Sequence, residues 1–167
     1  MTVPAETERL SFRDWIAVDL EALYAICSDP CVMEFVGNSE LWSWETTEQF
    51  IRRGYDTSRT LGFCQWPLML KDCAALIGFC GFVPTSQGAE IGWRLAKDYW
   101  GQGLATEAAR QVLKHGFEAL GFQQVIATVQ SSNRASIRIA EKLGMQAETC
   151  FIRHGREIIQ FSLSNAS

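Results

Sequence analysis

The segment Trp100-Gly101-Gln102-Gly103-Leu104-Ala105 separates two kinds of apolar pattern in the sequence. A strand-like alternation ends just before it at Leu95, and a helical apolar pattern follows it over about residues 103–120. Two glycines two positions apart permit a tight turn, and the first turn of a helix presents unpaired N–H groups at the positive end of its dipole. We therefore predict a phosphate-binding turn, with a plain strand-to-helix connection as the alternative.

Two common phosphate-binding motifs do not fit this turn. A nucleoside-triphosphate P-loop needs Lys-Ser or Lys-Thr after its last glycine, and a dinucleotide fingerprint needs a third glycine. This chain has neither of these. Instead, a second helix begins at Asn133-Arg134-Ala135-Ser136, immediately after the next predicted strand.

On either side of the turn, the spacing of apolar residues predicts antiparallel strands in the first half of the chain and a strand–helix–strand–helix order in the second half. This indicates one domain over residues 1–167 with an α/β fold of the α+β type: a mixed, mostly antiparallel, seven-stranded sheet flanked by helices. The predicted strands are 7–12, 62–70, 75–83, 89–95, 125–129, 146–153 and 157–163. The predicted helices are 19–26, 46–55, 103–120 and 133–143, the second opened by a capping box of Thr46 and Gln49.

Composition narrows the class of protein. The chain has 167 residues, 47% of them hydrophobic, and a formal net charge of −4. That charge argues against a nucleic-acid clamp but is compatible with a mildly cationic substrate such as an amine. The sequence has no apolar run of about 20 residues and no basic, apolar targeting pattern at its N-terminus, so we expect a cytoplasmic protein without membrane contact.

The cysteines do not form a metal-binding pattern. None of the six belongs to a C-x-x-C pair, and His115 and His154 are distant from any cysteine cluster. We therefore predict no metal site, and reduced, mostly buried thiols at Cys27, Cys31, Cys64, Cys73, Cys80 and Cys150.

Four segments in order resemble the GNAT superfamily of N-acetyltransferases: residues 89–95, 99–108, 133–136 and 141–145. Within it they are most similar to the RimJ/RimL-type ribosomal-protein acetyltransferases, in which Trp commonly stands at the position of Trp100. The resemblance implies the acyl-CoA N-acyltransferase fold with a splayed pair of parallel strands. It also implies acetyl-CoA as donor and a primary amine, at a protein N-terminus or in a small molecule, as acceptor.

The same resemblance assigns residues to the donor. The pantetheine arm is expected between the strand ending at Leu95 and the strand 125–129, with Gly92 providing a bulge that opens the gap. The expected donor-binding residues are Gly92, Trp93, Arg94, Leu95, Trp100, Gly101, Gln102, Gly103, Leu104, Ala105, Thr106, Asn133 and Ser136. We expect Glu107 to be structural, because a carboxylate is favoured near a helix N-terminus.

The resemblance also suggests the proton-transfer groups. Glu90 is the candidate general base, acting through a water, although a solvated or ion-paired strand carboxylate is equally compatible with its position. The tyrosine that many GNAT enzymes use as general acid is replaced by Ala140. Ser136 is therefore the substitute candidate, with the alternative that it only bonds its own backbone. No Cys–His arrangement suggests an acyl-enzyme, so we expect direct transfer in a ternary complex.

The acceptor side is expected to be aromatic. The candidates are Phe35, Trp42, Trp44 and Trp66, with Trp15 as a further one, although ordinary core packing would also explain them. A second function remains open: a catalytically weak or inactive module that binds or senses acyl-CoA. The protein would act as a monomer or homodimer.

Overall fold

The computed structural model describes residues 3–166, so Met1 and Thr2 of the targeting argument lie outside it. Seven strands form one sheet in the order β1-β2-β3-β4-β5-β7-β6. The strands are β1 (Leu10–Phe12), β2 (Gln65–Leu70), β3 (Ala75–Thr85), β4 (Gly88–Leu95), β5 (Gln124–Gln130), β6 (Gln146–Arg153) and β7 (Arg156–Ser164). The helices are α1 (Leu20–Cys27), α2 (Pro30–Met33), α3 (Trp44–Leu61), α4 (Leu104–Glu118) and α5 (Arg134–Lys142).

The sheet confirms the predicted mixed topology. Every neighbouring pair is antiparallel except β4 and β5, which run parallel. These two strands pair only at Ala89 with Val125 and at Glu90 with Ile126, whereas β5 pairs with β7 from Gln124 to Gln130. Beyond Glu90, β4 and β5 therefore separate and leave a gap in the middle of the sheet.

Helices cover both faces of the sheet. The ring of Phe79 in β3 lies 4.9 Å from that of Phe50 in α3, which marks the face covered by α1 and α3. Phe82, three residues further along β3, points to the opposite face and packs closely against Gly116 in α4. Because Phe79 pairs with Arg94 and Phe82 with Ile91, the register assigns each β4 side chain to one of these two faces.

Helix α3 begins earlier and ends later than its predicted range of 46–55. The Ser43 side chain accepts a hydrogen bond from the Thr46 N–H, so Ser43, rather than a capping box at Thr46 and Gln49, begins the helix. Gly54 lies inside the helix, where the absence of a side chain makes room for the Trp15 ring: an added Cβ would lie 2.7 Å from that ring. The helix ends at Gly62, whose φ of 81° is the left-handed cap.

Other boundaries differ less. The extended α3 leaves residues 62–64 outside β2, which begins at Gln65, and β3 continues through Pro84 to Thr85. Helix α2 was not predicted, although Asp29 caps it and Pro30 occupies its first position. None of the helices within residues 3–166 has the length and apolar character needed to cross a membrane.

Candidate active site

The predicted phosphate-binding turn lies between β4 and α4. Gly101 and Gly103 have φ values of 73° and 78°, the left-handed region in which other residues are strained. The Trp100 indole N–H donates to the Leu95 carbonyl over 2.9 Å and holds the turn against the end of β4. This side-chain contact depends on the tertiary structure and could not be predicted from the sequence.

The start of α4 has the donors that a phosphate group requires. Ser43 and Asn133 cap α3 and α5 with side-chain oxygens, whereas no side chain caps α4 at Gly103. The N–H groups of the first turn of α4 are therefore available to a ligand at the positive end of the helix dipole. This arrangement fits a phosphate group.

Glu107, in the first turn of α4, ties the N-terminal segment to this turn. Its carboxylate accepts hydrogen bonds from the Thr7 hydroxyl over 2.6 Å, from the Arg9 N–H over 3.0 Å and from the Arg9 guanidinium over 2.7 Å. Arg9 also donates to the carbonyl of Gln102. Burial by itself raises the pKa of Glu107, but these hydrogen bonds and the Arg9 charge lower it overall. The structural role predicted for Glu107 agrees with these contacts.

A cleft of about 290 Å³ opens where β4 and β5 separate. Both candidate catalytic residues, Glu90 and Ser136, line it. So do other residues predicted from the sequence: Phe35, Gly92, Trp93, Arg94 and Asn133. The fold therefore brings residues from the loop after α2, from β4 and from the start of α5 to one cavity.

Glu90 is held in position by β5. Its carboxylate accepts a hydrogen bond from the hydroxyl of Thr128, which also lines the cleft. Glu90 forms no ion pair with the charged residues of the described chain, and it is only partly exposed. Thr128 was missed, although it is the hydroxyl residue in the otherwise apolar run 125–129.

Ser136 connects α5 to β4. Its hydroxyl oxygen accepts a hydrogen bond from the Trp93 indole N–H over 3.2 Å, and its backbone N–H donates to the Asn133 side chain over 3.2 Å. Asn133 thus caps α5 and lines the cleft at the same time. Ala140, the position at which the resemblance leads one to expect a tyrosine, is fully buried in the core.

Three of the predicted acceptor-side aromatics lie away from the cleft. Trp66 is 0% exposed and packs against His115 on the α4 face, so assigning it to the acceptor pocket was wrong. Trp42 is partly buried beside Arg94, and Trp44 contacts Tyr24 at the surface. Trp15, the further candidate, is core and donates to the Gln65 carbonyl.

The predicted bulge at Gly92 is also absent from the pairing of β3 with β4. The register of these strands is continuous from the pair Gly78–Leu95 to the pair Thr85–Gly88. Gly92 instead makes room for the Gln65 side chain, which would lie 2.6 Å from an added Cβ. The gap between β4 and β5 therefore arises without a β3–β4 bulge. Leu95 and the turn residues 100–106 lie outside the cleft lining.

The hairpin between β6 and β7 contributes residues that the sequence analysis left without a role. Arg153 and His154 line the cleft, and His154 occupies the hairpin turn with φ of 52°. Arg156 joins this hairpin to the loop after α2 through the Glu34 carbonyl and the Ser39 hydroxyl. Only the positions of these residues at the hairpin turn could have drawn attention to them.

Within residues 3–166, no cluster of His, Cys, Asp and Glu is arranged to hold a metal ion. The cysteines are free, and half of them are exposed rather than mostly buried: Cys31, Cys73 and Cys150. Burial raises the pKa of Cys64 to about 12 and also raises the pKa of Cys27 and Cys80. These buried groups are thiols rather than thiolate nucleophiles at neutral pH.

Comparison with known proteins agrees with this geometry. Residues 9–146 match the family model described as an acetyltransferase (GNAT) domain. The uncharacterized N-acetyltransferase YoaA of Bacillus subtilis is 32% identical over 146 residues, covering 86% of this chain and 82% of YoaA. An acetyltransferase structure of the GNAT family from Bacillus anthracis superposes with a TM-score of 0.85 at 28% identity, covering 95% of this chain and 96% of that one.

A third comparison concerns the fold alone. RimL, a ribosomal L7/L12 alpha-N-protein acetyltransferase in complex with coenzyme A, superposes with a TM-score of 0.80 at 15% identity, and 95% of each chain is covered. The GNAT resemblance predicted from the sequence is thus confirmed by the family model, and the RimL neighbour shares the architecture. The chain belongs to the GNAT family and is an acetyl-CoA-dependent acetyltransferase.

Proposed function

We propose that this enzyme transfers acetyl from acetyl-CoA directly to a primary amine of a small molecule or a protein N-terminus, with Glu90 as general base and Ser136 as general acid. The observation that carries the proposal is that both residues line one cleft at the separation of β4 and β5. Acetyl-CoA supplies the thioester. The turn 100–106 and the start of α4 hold its phosphates, and the edge of β4 from Gly92 to Leu95 aligns its pantetheine arm.

Glu90 removes a proton from the acceptor. An amine is nucleophilic only when it is neutral, so a carboxylate at the cleft must accept its proton, directly or through a water. The Thr128 hydroxyl donates to one carboxylate oxygen of Glu90 and leaves the other free for this task. Thr128 thus orients the base and does not consume its capacity.

Ser136 donates its hydroxyl proton to the thiolate as the carbon–sulfur bond breaks, and water in the cleft reprotonates the serine oxygen. Its oxygen already accepts the Trp93 indole N–H, so the hydroxyl hydrogen must point elsewhere. Among the residues that the structure describes, no group accepts that hydrogen. A serine hydroxyl held in this way replaces the tyrosine hydroxyl that is missing at position 140, where this chain has alanine.

Thiol release from acetyl-CoA tests these roles. Against amino acids, N-terminal peptides and polyamines, Glu90→Gln and Ser136→Ala should each lower kcat about 10²–10⁴-fold with little change in acetyl-CoA affinity. The exposed residues Glu118 and Ser86 provide matched controls, because Glu118→Gln and Ser86→Ala lie outside the cleft and should retain full activity.

The outcomes separate this function from its alternative. Unchanged rates in Glu90→Gln or Ser136→Ala would remove that residue from the mechanism. Tight acetyl-CoA binding by the wild-type protein with no thiol release on any acceptor would instead favour an acyl-CoA-binding module.

A further inference from the structure

The cleft contains an arginine whose charge the protein does not neutralise. Arg94 lies on β4 and lines the cleft, and it forms no ion pair with any carboxylate of the described chain. Its guanidinium carbon lies 4.8 Å from the centre of the Trp42 ring and 4.9 Å from that of Phe79, and it donates to the Cys27 sulfur over 3.4 Å. These partners fix its position but carry no negative charge.

Arg94 lies on the face of the sheet opposite the phosphate-binding turn. It pairs with Phe79, on the face covered by α1 and α3, whereas α4 and its phosphate-binding start cover the opposite face. The side chains of Glu90 and Arg94 point to the same face because the two residues are four apart on one strand. The charge of Arg94 therefore faces the same compartment as the candidate base.

Among the described residues, the cleft lining includes two arginines and one carboxylate. Within the described chain, Glu90 is the single carboxylate that lines the cleft, and Arg153 and His154 reach it from the β6–β7 hairpin. A polyamine acceptor would need several carboxylates to replace its hydration. A partly buried guanidinium, stacked on aromatic rings and without a carboxylate, is instead suited to bind carboxylate or phosphate oxygens through its fork of N–H donors.

We propose that the acceptor amine carries an anionic group, a carboxylate or a phosphate, which Arg94 binds while the amine lies beside Glu90. The inference rests on the proposed acetyl transfer and specifies its acceptor class. The Cα atoms of Glu90 and Arg94 are separated by about 13 Å at the rise of a strand. Because both residues line the cleft at this separation, the enzyme will prefer acceptors in which several bonds separate the amine from the anion.

The test compares acceptors that differ only in charge. Thiol release is measured with ω-amino carboxylic acids of three to six methylenes and with their carboxamides, whose amines have nearly the same pKa. 3-Aminopropylphosphonate and 1,4-diaminobutane complete the panel. At the preferred length, kcat/KM for the carboxylate should exceed that for the amide by about 10–100-fold, the contribution of a charge-assisted hydrogen bond. A higher kcat/KM for the phosphonate would identify phosphate as the anion.

Variants assign this preference to Arg94. In Arg94→Gln the carboxylate-to-amide ratio should fall towards one, and Arg94→Glu should favour the diamine. Arg59→Gln, at an exposed arginine on α3 that contacts Tyr55, should keep the wild-type ratio. The ratio is informative even if Arg94 also contacts the donor through its backbone, because both acceptors use the same acetyl-CoA.

Three results would overturn the inference. Equal rates on acids and amides in the wild type, or an unchanged ratio in Arg94→Gln, would remove the anion subsite and leave the acetyl transfer intact. Absence of thiol release with every acceptor would overturn the proposed function and this inference with it.

Discussion

Replacing Glu107 by alanine tests how the N-terminal segment holds the phosphate-binding turn. The substitution leaves the Thr7 hydroxyl, the Arg9 N–H and the Arg9 guanidinium without their shared carboxylate. A hydrogen bond to a charged group contributes about 1.5–3 kcal/mol when buried. Here Glu107 is 19% exposed and Arg9 is 41% exposed, so solvent screening reduces the sum.

We therefore expect the Glu107→Ala substitution to reduce the free energy of unfolding by about 2–3 kcal/mol. For a chain of this length that lowers Tm by roughly 4–12 °C, measurable by circular dichroism. Glu107→Gln keeps one neutral acceptor and should lose about 1 kcal/mol. Acetyl-CoA should also bind more weakly to Glu107→Ala, because Arg9 would no longer be held where it bonds the Gln102 carbonyl.

The stabilisation by Glu107 has a defined pH dependence. A carboxylate whose pKa is lowered in the folded state stabilises the fold above its ordinary value of 4.5, and this contribution disappears as the pH falls through the lowered pKa. The Tm difference between wild type and Glu107→Ala should thus be constant from about pH 7 to 5 and shrink below about 4.5.

The control for this series is Glu118→Ala, at the exposed end of α4. It should change the free energy of unfolding by no more than about 0.5 kcal/mol, as other surface substitutions do, and Tm should change correspondingly little. A Tm for Glu107→Ala within about 1 °C of wild type at pH 7, or a Tm difference that grows on acidification, would show that the Glu107 carboxylate does not stabilise the fold in this way.

Two further predictions concern the turn and the cysteines. Gly103→Val and Gly121→Val should each lose about 1–2 kcal/mol of stability, because both glycines have left-handed backbone conformations. In calorimetry, only Gly103→Val should weaken acetyl-CoA binding. Equal binding by the two variants would contradict the phosphate-binding role of the turn. Titration of the native protein with a thiol reagent at neutral pH should modify three cysteines rapidly and six only after unfolding, and rapid modification of the buried set would contradict the burial of Cys27, Cys64 and Cys80.

The sequence predicted the parts of the fold that depend on local signals. Strand alternation, the glycines around α4 and the Asn133 cap indicated all seven strands and the parallel pair, within a few residues. The end of α3 could not be predicted in this way. The predicted helix stopped near Tyr55, but in the structure Gly54 allows the Trp15 ring to lie against a helix that continues to Leu61. That contact joins residues 39 positions apart.

The aromatic residues were harder to assign for a related reason. The sequence around Trp66 does not show which face of the sheet its side chain occupies, and only the register of the strands shows that it belongs to the core. Trp66 pairs with Cys80, and Cys80 pairs with Trp93, so Trp66 belongs to the α4 face with Phe82 and His115. Shifting either pairing by one residue would have reversed this assignment.

The same register determines what each β4 side chain does. Trp93 points to the face of α4 and α5 and bonds Ser136, while Glu90 and Arg94, on alternate positions, point to the face of α1 and α3. One strand therefore supports the candidate acid through one face and presents the candidate base and an unneutralised cation on the other. The alternation is visible in residues 89–95 of the sequence. What each side chain contacts depends on Trp42, Thr128 and the β6–β7 hairpin, which reach the strand from distant segments. The glycine turn before α4 is local and could be predicted from the sequence, whereas the residues proposed to bind the acceptor come together only through tertiary contacts.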